Sequence, residues 1–132
     1  MLAETGLLAL GFLTLMVVGI EIMFTYATQG FAYGFSSNRP AVDVSPFAQR
    51  MKRVLQNQVE CAAYAVPILA AVALVGLNDT AVQTAVAVCV VGRLAYVVFY
   101  YTGLPFARVP FFLAANLALL FLSYRVVLHA FN

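Results

Sequence analysis

Apolar residues run through this chain in four long blocks, about 5–27, 54–77, 80–102 and 109–131, separated by short clusters of glycine, proline, asparagine and charge. Each block holds the roughly 20 apolar residues that a helix needs to cross a ~30 Å hydrocarbon core. Lipid offers no partner to backbone N–H and C=O groups, so blocks of this length predict spanning helices. Ser45 is a suitable N-cap and Pro46 suits a first helical turn, so the second helix is predicted from Pro46 to about residue 77. At ~1.5 Å per residue the stretch from Pro46 to Gly76 alone is ~46 Å long, and its turn from Gln49 to Arg53 should project from the bilayer. Asn78-Asp79 makes a tight turn into the third span; Thr102-Gly103-Leu104-Pro105 stops that span, and Arg108-Val109-Pro110 opens the fourth. Between Gly30 and Pro46 the pattern lapses into Gly, Ser, Asn and Pro with Phe31, Tyr33 and Phe35 interleaved, which predicts a loop at headgroup level. Short connections make neighbouring spans antiparallel. The expected fold is all-α: one integral membrane domain over residues 1–132, a four-helix up-down bundle with spans at about 5–27, 46–77, 80–102 and 109–131.

Composition agrees. Of 132 residues, 64% are hydrophobic and 9% charged, with a mean hydropathy of +0.97, which excludes an ordinary soluble domain. The first block opens Met-Leu-Ala-Glu-Thr without a basic leader, so it reads as a retained helix, and an even number of spans puts both termini on one side. Arg39, Arg50, Lys52 and Arg53 join spans one and two, and Arg108 joins spans three and four, whereas the other face offers Glu4, Asp79 and His129. Basic loops stay cytoplasmic, which places both of these loops there and the termini opposite. The formal charge of +2 is therefore a topology signal and not a sign of nucleic-acid binding. Cys61 and Cys89 are isolated in apolar surroundings without metal-ligand spacing; they read as small buried hydrophobes, and no metal site is expected.

Polar residues inside the blocks are the candidates for chemistry, because an amide or a carboxylate at membrane depth is costly without a partner. Arg53, Asn57 and Glu60 fall at i, i+4 and i+7 on one helical face, extended by Arg50 and Tyr64. Arg93, Tyr96 and Tyr100 form a second stripe on the third span. At ~1.5 Å per residue, Glu60 lies ~15 Å in from Arg50 and Arg93 ~14 Å in from Thr102, so the two reach one level. Asn116 and Glu21 fall in the same layer. A Glu60–Arg93 ion pair, within a subunit or across an interface, is the structural expectation. Interhelical glue is the plainer account of any one such residue. Five polar groups in one layer under a mouth of arginines favour a site for an anionic, amphipathic ligand, with arginines on carboxylates and tyrosines donating hydroxyl hydrogens beside an apolar wall. Arg125, near the opposite end, is expected to snorkel, and the Phe-rich run from Val109 to Phe121 to face lipid or a lipophilic substrate.

With these residues the chain resembles the MAPEG family, the membrane-associated proteins in eicosanoid and glutathione metabolism. Its second-helix pattern of Arg, Asn and Glu is similar to Arg53, Asn57 and Glu60. Its third-helix pattern matches Arg93, Tyr96 and Tyr100, and its loop arginine looks like Arg108. The resemblance implies a homotrimer of four-helix subunits that binds glutathione as co-substrate between neighbours. Arg53, Asn57, Glu60, Arg93 and Tyr96 would hold glutathione, while Arg108 and Tyr100 would be the catalytic pair. Arg108 would stabilise the thiolate that attacks a lipophilic small-molecule electrophile, which enters from the membrane lipids. Two departures keep other classes open: Glu21 to Phe35 holds no arginine, and Val109, Pro110, Phe111 and Phe112 follow Arg108. The alternatives are a non-catalytic lipid-binding or scaffold member, and a small accessory subunit of a larger membrane complex.

Overall fold

A computed structural model describes residues 1–39 and 45–132. Among these described residues four helices form: α1 (Ala3–Phe35), α2 (Pro46–Leu74), α3 (Thr80–Thr102) and α4 (Arg108–Phe131). Each is long and apolar enough to cross a membrane. Much of the apolar surface faces outward, with Leu8, Met23, Leu74 and Leu120 at 67% to 87% exposure. Such a surface is stable against lipid and not against water. The chain is an integral, multi-pass membrane protein.

The helix ends follow local chemistry. Ser45 Oγ accepts the Ala48 N–H at 3.2 Å, with Pro46 in the first turn of α2. At its other end Leu77 N–H bonds Val72 O at 3.2 Å and Gly76 N–H bonds Ala73 O at 3.1 Å. Gly76 takes φ +71°, the left-handed conformation that closes a Schellman motif and ends the helix before the expected residue 77. Asp79 Oδ1 caps α3 by accepting from Ala81 and Val82 at 3.1 and 3.3 Å.

The loop expected from Gly30 is only partly a loop. Gly30 leaves helical geometry at φ +81°, yet α1 resumes and runs to Phe35. Three rings knit this extra turn together: Tyr26 lies 5.3 Å from Phe31 and 5.6 Å from Phe35. The aromatics read as interfacial anchors thus also hold one another across the kink, a contact that a one-dimensional pattern does not show. Residues 40–44 of the expected loop lie outside the described residues.

The core is built on one stripe of α2. Met51, Val54, Gln58, Cys61, Ala65, Leu69 and Val72 are buried at spacings of three or four, the period of a helix that buries a single face. From Cys61 to Val72 the stripe shares a cluster with Leu10 of α1, Val86 and Cys89 of α3, and Leu119 and Leu122 of α4, while Val54 packs in a second cluster with Val17, Tyr96, Val97 and Tyr100. Both cysteines are buried and free, packed as hydrophobes. Gly92 brings α3 close to α4, since a Cβ there would stand 2.9 Å from Phe111 O and 3.2 Å from Ala115 Cβ. Arg125 does not merely snorkel: it donates to Asp79 Oδ2 at 2.6 Å and ties the last turns of α4 to the first turn of α3.

Candidate functional site

The buried stripe of α2 leaves its polar residues on the flank. Val54 and Cys61 point into the core, so Arg53, Gln56, Asn57 and Glu60, rotated to one side, face a groove whose far wall is Tyr96 and Tyr100 of α3. The groove encloses about 280 Å³. The structure therefore brings together five of the residues singled out from sequence, Arg53, Asn57, Glu60, Tyr96 and Tyr100. The two tyrosines stack edge to face at 5.5 Å, which fixes both rings without using their hydroxyls.

Two further arginines complete the arrangement. The Arg108 guanidinium at the start of α4 lies 4.1 Å from the Tyr100 ring centroid. Arg93, wholly buried, lies behind the groove with its guanidinium 4.8 Å from the Tyr96 ring. It donates to Asn57 Oδ1 at 3.0 Å, to Asn57 O at 3.4 Å and to Gln58 Oε1 at 2.9 Å. Each ring therefore carries a cation, an arrangement favourable beyond simple packing.

The expected Glu60–Arg93 ion pair is not made within the chain. Asn57 and Gln58 satisfy Arg93 instead, and Glu60 stays exposed, accepting from Gln56 Nε2 at 2.9 Å. The reason is angular: Gln58 lies on the core face of α2, whereas Glu60, two residues on, is rotated ~200° away from it. Arg93 is thus a buried cation held by neutral acceptors, with its Nε unpartnered among the described residues. Its charge is not cancelled locally, so it contributes positive potential to the groove.

Glu21 does not join this group. Its carboxylate accepts from Thr25 Oγ1 at 3.4 Å and lines a separate small pocket with Lys52 on the other side of α2. Asn116 does not line the groove either: its Oδ1 accepts from the Tyr64 hydroxyl at 2.7 Å, and both residues lie off the groove wall. Sequence reasoning missed Gln58 and Thr14. Gln58 Nε2 donates to Thr14 Oγ1 at 3.0 Å, and Thr14 donates on to Leu10 O at 2.8 Å, so one chain of bonds runs from α3 through α2 to α1. A signal existed, because Gln58 is the one polar member of the stripe that includes Val54, Cys61 and Ala65.

The donor set suits an anionic, zwitterionic ligand. Arg53 has no counter-ion among the described residues and can take a carboxylate, the exposed carboxylate of Glu60 can take an ammonium, and Asn57 can exchange amide hydrogen bonds. A protein-family model described as the MAPEG family matches residues 5–128, nearly the whole chain. No curated protein and no solved structure matches it.

Proposed function

This chain belongs to the MAPEG family, and we propose that it is a glutathione-dependent membrane transferase or peroxidase acting on lipophilic electrophiles. One observation carries the reading: Arg53, Asn57, Glu60, Tyr96 and Tyr100 share a groove, with Arg108 against Tyr100 and Arg93 against Tyr96. Family membership alone would support no more than a place in glutathione or eicosanoid metabolism.

Arg53 and the Glu60 carboxylate hold opposite charges of the tripeptide, and Asn57 reads its amides. Arg108 and the Tyr100 hydroxyl face its sulfur; the guanidinium favours thiolate over thiol, and the proton leaves to water. The sulfur electron pair then forms a bond to the electrophilic carbon, and the leaving group departs with its own pair. Arg93 stays out of contact and biases the groove toward anions. The bundle is up-down, with both basic loops cytoplasmic. At about 280 Å³ the groove lies just below the ~300–1,000 Å³ of enclosed ligand sites. A neighbouring subunit of a homotrimer closes it, and the apolar substrate arrives sideways through the lipid.

The test is titration of the purified protein with glutathione, followed by thiolate absorbance. Saturable binding with a thiolate signal is expected. Absence of saturable binding eliminates the reading, and saturable binding without thiolate leaves a non-catalytic binder.

A further inference from the structure

A second groove lies on the opposite side of α3, against α1. Phe12, Met16 and Ile20 of α1 and Leu94, Val98 and Tyr101 of α3 line about 500 Å³ there, and tyrosine supplies the sole polar side chain of the wall. Along α1 it extends from Ala9 to Ile20, ~16 Å at ~1.5 Å per residue, the depth of one leaflet of a ~30 Å core. One end is marked. The Tyr101 ring lies 6.4 Å from Phe47, and the Arg50 guanidinium lies 5.8 Å from that same Phe47 ring. Arg50 also packs against Gly103, where a Cβ would come within 3.2 Å of its guanidinium carbon.

Two polar atoms at this end have no partner among the described residues, Arg50 Nε and the Tyr101 hydroxyl. Shielded donors are normally satisfied. Arg50 as a residue remains half-exposed, so the rest of its side chain is open to a ligand while Nε is covered. A groove of leaflet depth, apolar along its length and cationic at its mouth, has the chemistry of one lipid leg below an anionic head.

We propose that the α1–α3 groove holds one acyl chain of an anionic phospholipid, with the phosphate at Arg50. The site is distinct from the groove of Arg53 and Tyr100, and it does not depend on the proposed transferase activity.

The test is electron paramagnetic resonance of the full chain in phosphatidylcholine vesicles that carry trace spin-labelled phosphatidylglycerol or spin-labelled phosphatidylcholine. Immobilised phosphatidylglycerol is expected to exceed phosphatidylcholine roughly fivefold, the factor for one surface arginine. Arg50→Gln should remove this preference and Arg50→Lys should retain most of it, while Val98→Phe should lower the immobilised fraction by filling the groove. Lys52→Gln removes an equal charge away from the groove and should leave the preference intact. Equal immobilisation of the two lipids overturns the proposal, as does equal loss in Arg50→Gln and Lys52→Gln, which would mark diffuse surface charge. Cross-linking of Val98→Cys to a second copy, with the lipid signal insensitive to Val98→Phe, would assign the groove to a subunit contact and also overturn it. Should Arg50→Gln fail to fold, Arg50→Lys and Val98→Phe decide between the same outcomes.

Discussion

Arg93 donates to Gln58 Oε1 at 2.9 Å with both side chains wholly buried, a cation held in the middle of a membrane bundle by a neutral amide. The bond is one link in a path that continues through Thr14 to the backbone of α1. Three helices are thereby registered against one another at the level of the candidate site.

Removing the amide should be costly. Gln58→Leu leaves a buried guanidinium short of an acceptor, and we expect a loss of about 2 kcal/mol, well above the ~0.6 kcal/mol average for interhelical hydrogen bonds in membranes. Unfolding in mixed micelles measures it. In a double-mutant cycle, adding Arg93→Leu should return part of the loss, because the orphaned charge goes with it. Strict additivity would deny the coupling.

Binding and thiolate formation should separate by residue. Glu60→Gln, which removes the exposed carboxylate of the groove, should weaken glutathione binding about tenfold. Arg108→Ala should suppress the thiolate absorbance and leave much of the binding intact. Calorimetry and ultraviolet difference spectra on both variants check this, and the reverse pattern would refute the roles assigned.

Gly92 should not tolerate bulk. A Cβ at this position meets the Phe111 carbonyl oxygen at 2.9 Å, and backbone cannot swing aside as a side chain can. Gly92→Val should therefore destabilise by about 1–3 kcal/mol as α3 is pushed from α4. Gly11, with nothing within 4 Å of its Cβ position, is the control, and thermal unfolding of Gly92→Val beside Gly11→Val reads the difference.

Acid should loosen the end of the bundle where Asp79 lies. The Arg125 guanidinium beside Asp79, aided by the N–H groups of Val82 and Ala81, holds its carboxyl below the usual carboxylate range. A depressed folded-state value stabilises the fold above the unfolded value of about 4, and that contribution is lost as pH falls below it. Unfolding temperature should fall between pH 5 and 3 more steeply in the natural chain than in Asp79→Asn, an interval of about that width around the carboxylate pKa. Parallel curves would leave the pair without a role.

Much of this was legible along the chain. Apolar block length sets helices in lipid because backbone bonds have no other partner there, and Ser45, Asp79 and Gly103 mark helix ends through local backbone chemistry. Periodicity likewise placed Arg53, Asn57 and Glu60 on one face, as it did Arg93, Tyr96 and Tyr100. Rotation between helices was not legible. Equal depth made Glu60 and Arg93 plausible partners, yet the turn of α2 about its own axis presents Gln58 to Arg93 and Glu60 to the groove. Depth and face are one-helix properties, and the sequence determines them; which faces meet depends on side-chain volumes summed over all four helices, at contacts such as Gly92 against Ala115. Only the tertiary structure decided that.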